Sequence, residues 1–387
     1  MSLLVTVTGP DHPGVTAGLL DVLAQHGATV DDVEQVVVHG QLLLGVVITG
    51  EGDGQAVQRD LAAAATGLAV SVTFTPLADA PPAPAIRHHV VVLGAPLPPA
   101  ALAALTRRLA GCGANIERVV RLSSWPAQSF ELLVTGGETD RLRRELAAEA
   151  VAQHVDVAVE RASLYRRGRR LVVMDVDSTL VQGEVIEMLA AEAGCGDEVA
   201  RVTASAMAGD LDFEESLRAR VALLEGLPLD AVDRVRSQVR LTPGARTLVR
   251  TLKRLGFAVA IVSGGFTAVT DDLQAELGLD HALANVLQVA DGRLTGRLVG
   301  PVVDRAGKAA ALLRFAAEQG LQPEQTVAIG DGANDLDMIA AAGLGIAFNA
   351  KAVVRAAADA ALSVPFLDAV LFLLGVPSEE ILAADRS

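Results

Sequence analysis

The sequence predicts an α/β protein: two ferredoxin-like βαββαβ modules, then a doubly wound parallel sheet with an inserted helical cap. Three observations carry this. The Pro- and Ala-rich stretch Thr75 to Pro84 is flanked by two copies of one apolar pattern. From Leu171 onward, short apolar strands alternate with helical patterns. One stretch, Glu184 to Arg240, breaks that alternation and is nearly all helical in pattern.

The first copy starts on the strand Val5-Thr6-Val7-Thr8-Gly9 and runs through a helix ending at His26-Gly27-Ala28 to strand-like Val33 to Val38. The second starts on Val90-Val91-Val92-Leu93-Gly94, reaches Cys112-Gly113-Ala114, and continues as Ile116 to Leu122. Gly-Ala closes the helix in both, as a C-cap glycine does. Each copy then adds a strand and a helix: Leu42 to Thr49 with Gln55 to Thr66, and Gln128 to Thr135 with Glu138 to Glu149. The modules are expected at residues 1–78 and 86–163. The third domain is expected at residues 170–387, with strands Leu171–Val176, Ala258–Ser263, Thr326–Gly330 and Leu344–Phe348, and the cap at about 184–240. Val286 to Val299 reads as a hairpin turning at Asp291-Gly292.

Composition bounds the function. Hydrophobic residues make up 51% of the 387 and charged residues 20%, which supports packed cores. The net charge of −15 argues against nucleic acid as a partner, though not against a small phosphorylated ligand with a local positive site. The basic cluster Arg161 to Arg170 reads as a solvated linker facing acidic neighbours. Two cysteines, Cys112 and Cys195, form no disulfide framework and suit a reducing cytosol. The N-terminus lacks signal-peptide character, and the apolar run Ala369 to Val376 is too short to span a bilayer, so a cytoplasmic location without membrane contact is expected.

Four segments carry chemistry. Asp175-Val176-Asp177-Ser178-Thr179 follows a buried strand, where ligands bind in parallel α/β sheets. One carboxylate there can attack phosphorus if a cation screens the repulsion, and a second can carry a proton. A calcium loop is ruled out, because Leu180 and Ile186 stand where its Gly and Glu belong. Ser263-Gly264-Gly265 offers a hydroxyl and free N–H groups at a strand-to-helix turn, a phosphate cradle or merely a turn. Gly307-Lys308 is no Walker A loop, since Ala309 replaces Ser/Thr; its lysine is a candidate clamp by its company. Gly330-Asp331-Gly332-Ala333-Asn334-Asp335 mixes glycines with acids, which repel a pyrophosphate and attract a cation; hard oxygen ligands suit Mg²⁺.

The ordered set D-x-D-x-T, S-G-G, Lys, G-D-G-x-N-D resembles the haloacid dehalogenase superfamily of aspartyl-phosphate phosphatases. Its detailed form, with Met207, Phe213 and Arg220 at cap positions, is similar to the phosphoserine phosphatase family. The tandem N-terminal modules resemble ACT domains, as in the long form of that family. The resemblance implies Mg²⁺-dependent hydrolysis of O-phospho-L-serine, the last step of serine biosynthesis. Asp175 would be nucleophile and metal ligand. Asp177 would be general acid/base and ligate the metal through its carbonyl. Asp331 would be a further ligand and Asp335 would orient that shell. Ser263, Gly264, Lys308 and Asn334 would hold the phosphoryl group. Glu184 would meet the substrate's ammonium and Arg220 its carboxylate, with Met207 and Phe213 sealing the cap.

In the loop Gly9-Pro10-Asp11-His12-Pro13-Gly14, Asp11 can meet an ammonium, and the N–H groups near Gly14 and Val15 a carboxylate. The resemblance to ACT domains makes L-serine the expected effector and a homodimer the expected assembly. The second copy, Gly94-Ala95-Pro96-Leu97-Pro98-Pro99, has no acid and few donors there. Two other readings stay open: a related phosphotransferase that passes phosphate to an alcohol such as homoserine, and an amino-acid-sensing protein with a vestigial catalytic half. The intact set Asp175, Asp177, Lys308 and Asp331 speaks against the last.

Overall fold

A computed structural model describes residues 2–50, 53–78, 86–168, 170–208 and 212–386. The chain forms two compact units, 1–83 and 84–387. Residues 79–84 of the expected linker lie outside the described residues.

The first unit runs β1 (Ser2–Pro10), α1 (Val15–Gln25), β2 (Thr29–Val38), β3 (Gln41–Thr49), α2 (Gly54–Gly67) and β4 (Ser71–Pro76). Its antiparallel sheet has the order β2-β3-β1-β4. Alternation decides which face is buried: Leu3, Val5 and Val7 of β1 and Leu42, Leu44, Val46 and Ile48 of β3 point at the helices. Asp53 caps α2 by accepting from Gln55 N at 2.9 Å.

The second unit begins with the same order: β5 (Arg87–Gly94), α3 (Pro99–Gly111), β6 (Ala114–Ser123), β7 (Gln128–Gly136), α4 (Thr139–Gln153) and β8 (Asp156–Arg161). One turn, α5 (Leu164–Arg167), leads into β9 (Leu171–Met174). The cap follows as α6 (Val185–Ala193), α7 (Gly196–Ala208), α8 (Phe213–Ala222) and α9 (Leu229–Gln238). Then come α10 (Ala245–Arg254), β10 (Ala258–Phe266), α11 (Thr267–Leu277), β11 (His281–Ala290), β12 (Arg293–Val299), α12 (Arg305–Glu318), β13 (Thr326–Gly330), α13 (Leu336–Ala341), β14 (Leu344–Phe348), α14 (Ala352–Ala357) and β15 (Ala360–Leu362).

β9 is the centre of the parallel region, with β10 on one side and β13 on the other. The chain leaves β9 in both directions, so the crevice beyond its C-terminal end is the switch point where ligands bind. Both faces of this sheet are covered. Val172, Met174, Val259, Ile261, Val327 and Ile329 pack with residues of α6 and α10. Leu171, Val173, Ala260, Val262 and Ala328 pack with Leu312 and Phe315 of α12 and Ile339 of α13. The hairpin β11–β12 turns at Asp291 (φ 49°) and Gly292 (φ 72°), the left-handed pair a two-residue turn needs. It braces the cap through Gly226 N to Leu294 O at 2.8 Å and Leu294 N to Leu227 O at 2.9 Å.

The βαββαβ module and the parallel sheet are joined in one way that periodicity does not show. β15 meets β8 antiparallel at Ala360 and Ala158, so a single sheet runs β12-β11-β10-β9-β13-β14-β15-β8-β5-β7-β6. Asp156 of β8 accepts from Ser363 N at 2.7 Å and Ser363 Oγ at 2.8 Å. The basic cluster does face acids, but Arg166 is not solvated. It is 12% exposed, with Nη2 2.6 Å from Glu131 Oε1 and Nε 3.1 Å from Glu160 Oε2. Among the described residues no helix is long and apolar enough to cross a membrane.

Candidate active site

β9 delivers the first motif. Its four residues are fully buried, and Asp175 N donates to Ile329 O of β13 at 2.9 Å, which carries the ladder one residue past the strand. The chain then turns tightly, with Ser178 at φ 57° and Val181 N on Val176 O at 2.9 Å. Asp175 Oδ1 accepts from Val176 N at 2.7 Å and lies 2.7 Å from Lys308 Nζ. Asp177 Oδ1 accepts from Val185 N at 3.0 Å, tying the turn to the first cap helix.

Lys308 is in the first turn of α12, which Asp304 caps by accepting from Gly307 N at 2.7 Å. Its Nζ is 2.7 Å from Asp335 Oδ1 as well, and its side chain is fully buried. Asp335 Oδ2 accepts from Gly332 N at 3.0 Å, so both oxygens of Asp335 are engaged. Thr179 Oγ1 donates to Asp331 Oδ1 at 3.1 Å.

The ladder between β10 and β11 slips between Val262 and Phe266, which releases Ser263–Gly265 from pairing. Gly265 N donates to Ser263 Oγ at 2.8 Å. A Cβ on Gly265 would lie 2.8 Å from Asp177 Oδ2, and one on Gly264 would lie 3.0 Å from Phe213 Cζ. A methyl at either position would have to displace the end of that side chain.

A cavity of about 670 Å³ opens above these strand ends. Asp175, Asp177, Gly264, Asp331 and Asn334 line its floor, and Glu184, Phe213 and Arg220 line the cap side. Ser263, Lys308 and Asp335 lie behind the floor, each no more than 1% exposed. Met207 falls on α7, but its side chain is outside the described residues. Ser178 Oγ donates to Glu184 Oε1 at 3.0 Å. Among the described residues Arg220 has no carboxylate within 4.0 Å; its Nε donates to Ser216 O at 3.3 Å. Asp11, Gly14 and Val15 are in the first unit, where Gly14 (φ 100°) opens α1 and no side chain caps that helix.

Sequence reasoning passed over Asn285, Asp304 and Lys351. Asp304 carried a readable signal, an N-cap residue directly before a helical pattern. Lys351 follows β14 and lines the cavity, as residues past strand ends do. Asn285 carried no local signal.

The carboxylates are crowded. Burial, then the charge of Asp335, pushes Asp175 well above the usual carboxylate range, against the pull of Lys308. Burial and Glu184 raise Asp177 to about 7. Burial and Asp335 raise Asp331 to about 6. Burial would lower the Lys308 ammonium, but Asp175 and Asp335 outweigh it and hold it above its ordinary value. Asp175, Asp331 and Asp335 each offer an oxygen within 4.8 Å of the others. An excess of hard oxygen donors over buried positive charge fits a divalent metal ion.

A capped parallel sheet with carboxylates past its central strand defines a haloacid dehalogenase-like hydrolase. The family model of that description matches residues 172–340, and ACT domain models match residues 1–75 and 87–160. The chain is 57% identical to a phosphoserine phosphatase of Streptomyces coelicolor, over 99% of this chain and 94% of that one. It is 52% identical to phosphoserine phosphatase SerB2 of Mycobacterium tuberculosis, over 100% and 96%. A solved structure, a phospho-aspartyl intermediate analogue of phosphoserine phosphatase, is 43% identical over 53% of this chain and 98% of its own, with a TM-score of 0.51. The chain belongs to the phosphoserine phosphatase family.

Proposed function

We propose that the chain hydrolyses O-phospho-L-serine to L-serine and phosphate through an aspartyl-phosphate on Asp175. The observation that carries this is the two-sided cavity: Asp175 and Gly264 on the floor, Glu184 and Arg220 on the cap. Anchoring of Asp175 Oδ1 by Val176 N and Lys308 leaves Oδ2 to attack phosphorus. Asp177, with its carboxyl raised to about 7, protonates the departing serine oxygen and then takes the proton of the hydrolytic water. Ser263, Gly264, Lys308 and Asn334 hold the phosphoryl oxygens. Arg220 forks onto the substrate carboxylate and Glu184 faces its ammonium. Phe213 and Met207 close the cap against water.

Asp175, the carbonyl of Asp177 and Asp331 would hold Mg²⁺, with Asp335 orienting them. When bound, the ion supplies positive charge that lets an anionic carboxylate approach a phosphate. The phospho-aspartyl character of the solved relative supports the covalent step.

L-Serine is proposed to bind the first module at Asp11, Gly14 and Val15 and to lower activity. A homodimer paired through β2 is proposed with it. That edge strand is exposed along its whole length and presents Val33, Val36 and Val38.

The test is phosphate release from L-phosphoserine with Mg²⁺, parent against Asp175→Asn. Equal rates would refute the assignment of Asp175. Calorimetry of the full chain with millimolar L-serine tests the effector site, and unchanged heats in Asp11→Ala would remove it.

A further inference from the structure

Asn285 of β11 is 2% exposed and does not line the cavity. Its Nδ2 donates to Gly264 O at 2.8 Å, and its Oδ1 accepts from Val303 N at 2.8 Å. The amide orientation follows from its partners, since a carbonyl only accepts and a backbone N–H only donates. Gly264 belongs to the turn after β10. Val303 immediately precedes Asp304, the cap of the helix that carries Lys308. One buried side chain thus ties together the two segments proposed to hold the phosphoryl group.

We infer that Asn285 is a positioning residue for phosphate binding: it pins the Gly264 peptide and sets the spacing between that turn and the loop leading to Lys308. The inference rests on the proposed roles of Gly264 and Lys308. Its physical basis is the turn itself. The side chains of Phe213 and Asp177 approach Gly264 and Gly265 closely, and two glycines in series leave the peptide between them little steric resistance to rotation. Ser263 Oγ receives the Gly265 N–H, and Asn285 holds the Gly264 carbonyl on the side away from the cavity. A rotated peptide would aim a carbonyl oxygen, with its partial negative charge, at an incoming phosphate. On the other side, loss of the Val303 contact frees the loop that leads to Lys308.

The test uses the full chain with Mg²⁺ and compares the parent, Asn285→Leu, Asn285→Asp and a remote core control, Leu109→Ala. The readouts are inorganic phosphate affinity by calorimetry, kcat and KM for L-phosphoserine, and Tm. Asn285→Leu removes both hydrogen bonds at similar volume. It should weaken phosphate binding and lower kcat by about tenfold or more, as expected for stranded buried polar groups. Asn285→Asp keeps an acceptor for Val303 N but, when ionised, sets a carboxylate oxygen against Gly264 O. At pH 8 it should lose Tm and phosphate affinity together, and relative to the parent both losses should be smaller at pH 5.5, where a protonated carboxyl regains a donor; this pH trend marks the Gly264 hydrogen bond and serves if the leucine variant does not fold. Leu109→Ala should lower Tm and leave both readouts within about twofold of the parent. Parent-like phosphate affinity and kcat in either folded Asn285 variant would overturn the inference, as would an equal loss in the control. If the parent binds phosphate but releases none from phosphoserine, the substrate reading fails while the affinity comparison still decides Asn285.

Discussion

Lys308→Met is the sharpest perturbation the structure offers. The ammonium is 2.7 Å from Asp175 Oδ1 and 2.7 Å from Asp335 Oδ1, and none of the three side chains is more than 5% exposed. Methionine nearly matches the length and removes the charge, leaving two buried carboxylates facing each other. Breaking a buried ion pair from one side costs about 3–5 kcal/mol. At about 2–4 °C per kcal/mol, the second unit should melt about 6–20 °C lower in EDTA. The sign with pH follows from the acids. The Asp175 carboxyl lies above the unfolded value even with lysine present, so its ionisation opposes folding and the penalty grows as pH rises. The parent lysine, held above its ordinary value, stays charged throughout this range. The loss should therefore be smaller at pH 5.5 than at pH 8. Adding Asp335→Asn removes one stranded charge and should recover about half of the stability but none of the activity, which should be down by about 10²–10³-fold. Thermal unfolding and phosphoserine turnover are the assays. A variant melting within about 2 °C of the parent at pH 8, with no pH trend, would refute charge compensation by Lys308.

Other consequences are independent of that lysine. Asp331, raised to about 6, takes up a proton as pH drops from 7.5 to 5.5, so Mg²⁺ affinity should fall over that range. Calorimetry at pH 6 in two buffers of different ionisation enthalpy should show proton release, and identical heats would contradict it. Arg220→Ala should lower kcat/KM for phosphoserine by about 10–100-fold, with little change for an ester lacking a carboxylate; equal losses would exclude a carboxylate contact. Gly265→Ala pushes a methyl against Asp177 Oδ2 and should lower kcat by about tenfold or more, read against an unchanged far-ultraviolet spectrum. Burial lowers the pKa of His88, so its neutral form favours folding. The second module should lose stability as pH falls below the ordinary histidine value, and His88→Gln should flatten that decline in a melting series.

Much of the fold was legible because its signals are local. Thr326–Gly330 and Leu344–Phe348 are strands at the expected bounds, since each is a short apolar run closed by turn residues. Leu171–Val176 is shorter than expected by two residues: the chain leaves the strand at Asp175 to begin the tight turn. The turn residues of the first repeat predict a loop from Gly9, whereas β1 continues to Pro10, because pairing with β3 carries the extended backbone past the glycine. Arg166 shows the limit of composition. A basic run in a polar linker gives no hint that one member is buried between Glu131 and Glu160, residues that precede it on separate strands.

The sequence by itself determined which residues stand at the ends of the central strands. Strand periodicity and turn chemistry place Asp175, Asp177, Ser263, Gly264 and Asp331 at the C-terminal edge wherever the sheet forms. It also separated a capping segment from the sheet by its change of period. Only the tertiary structure decided that Lys308 is sealed between Asp175 and Asp335, that Asn285 joins the glycine turn to the loop before α12, and that β8 and β15 make one sheet of two modules. These contacts link residues far apart in the chain, and they exist because burial leaves a charge or an amide no water to bind. Such partners are chosen by proximity in the folded core, which no pattern along the sequence records.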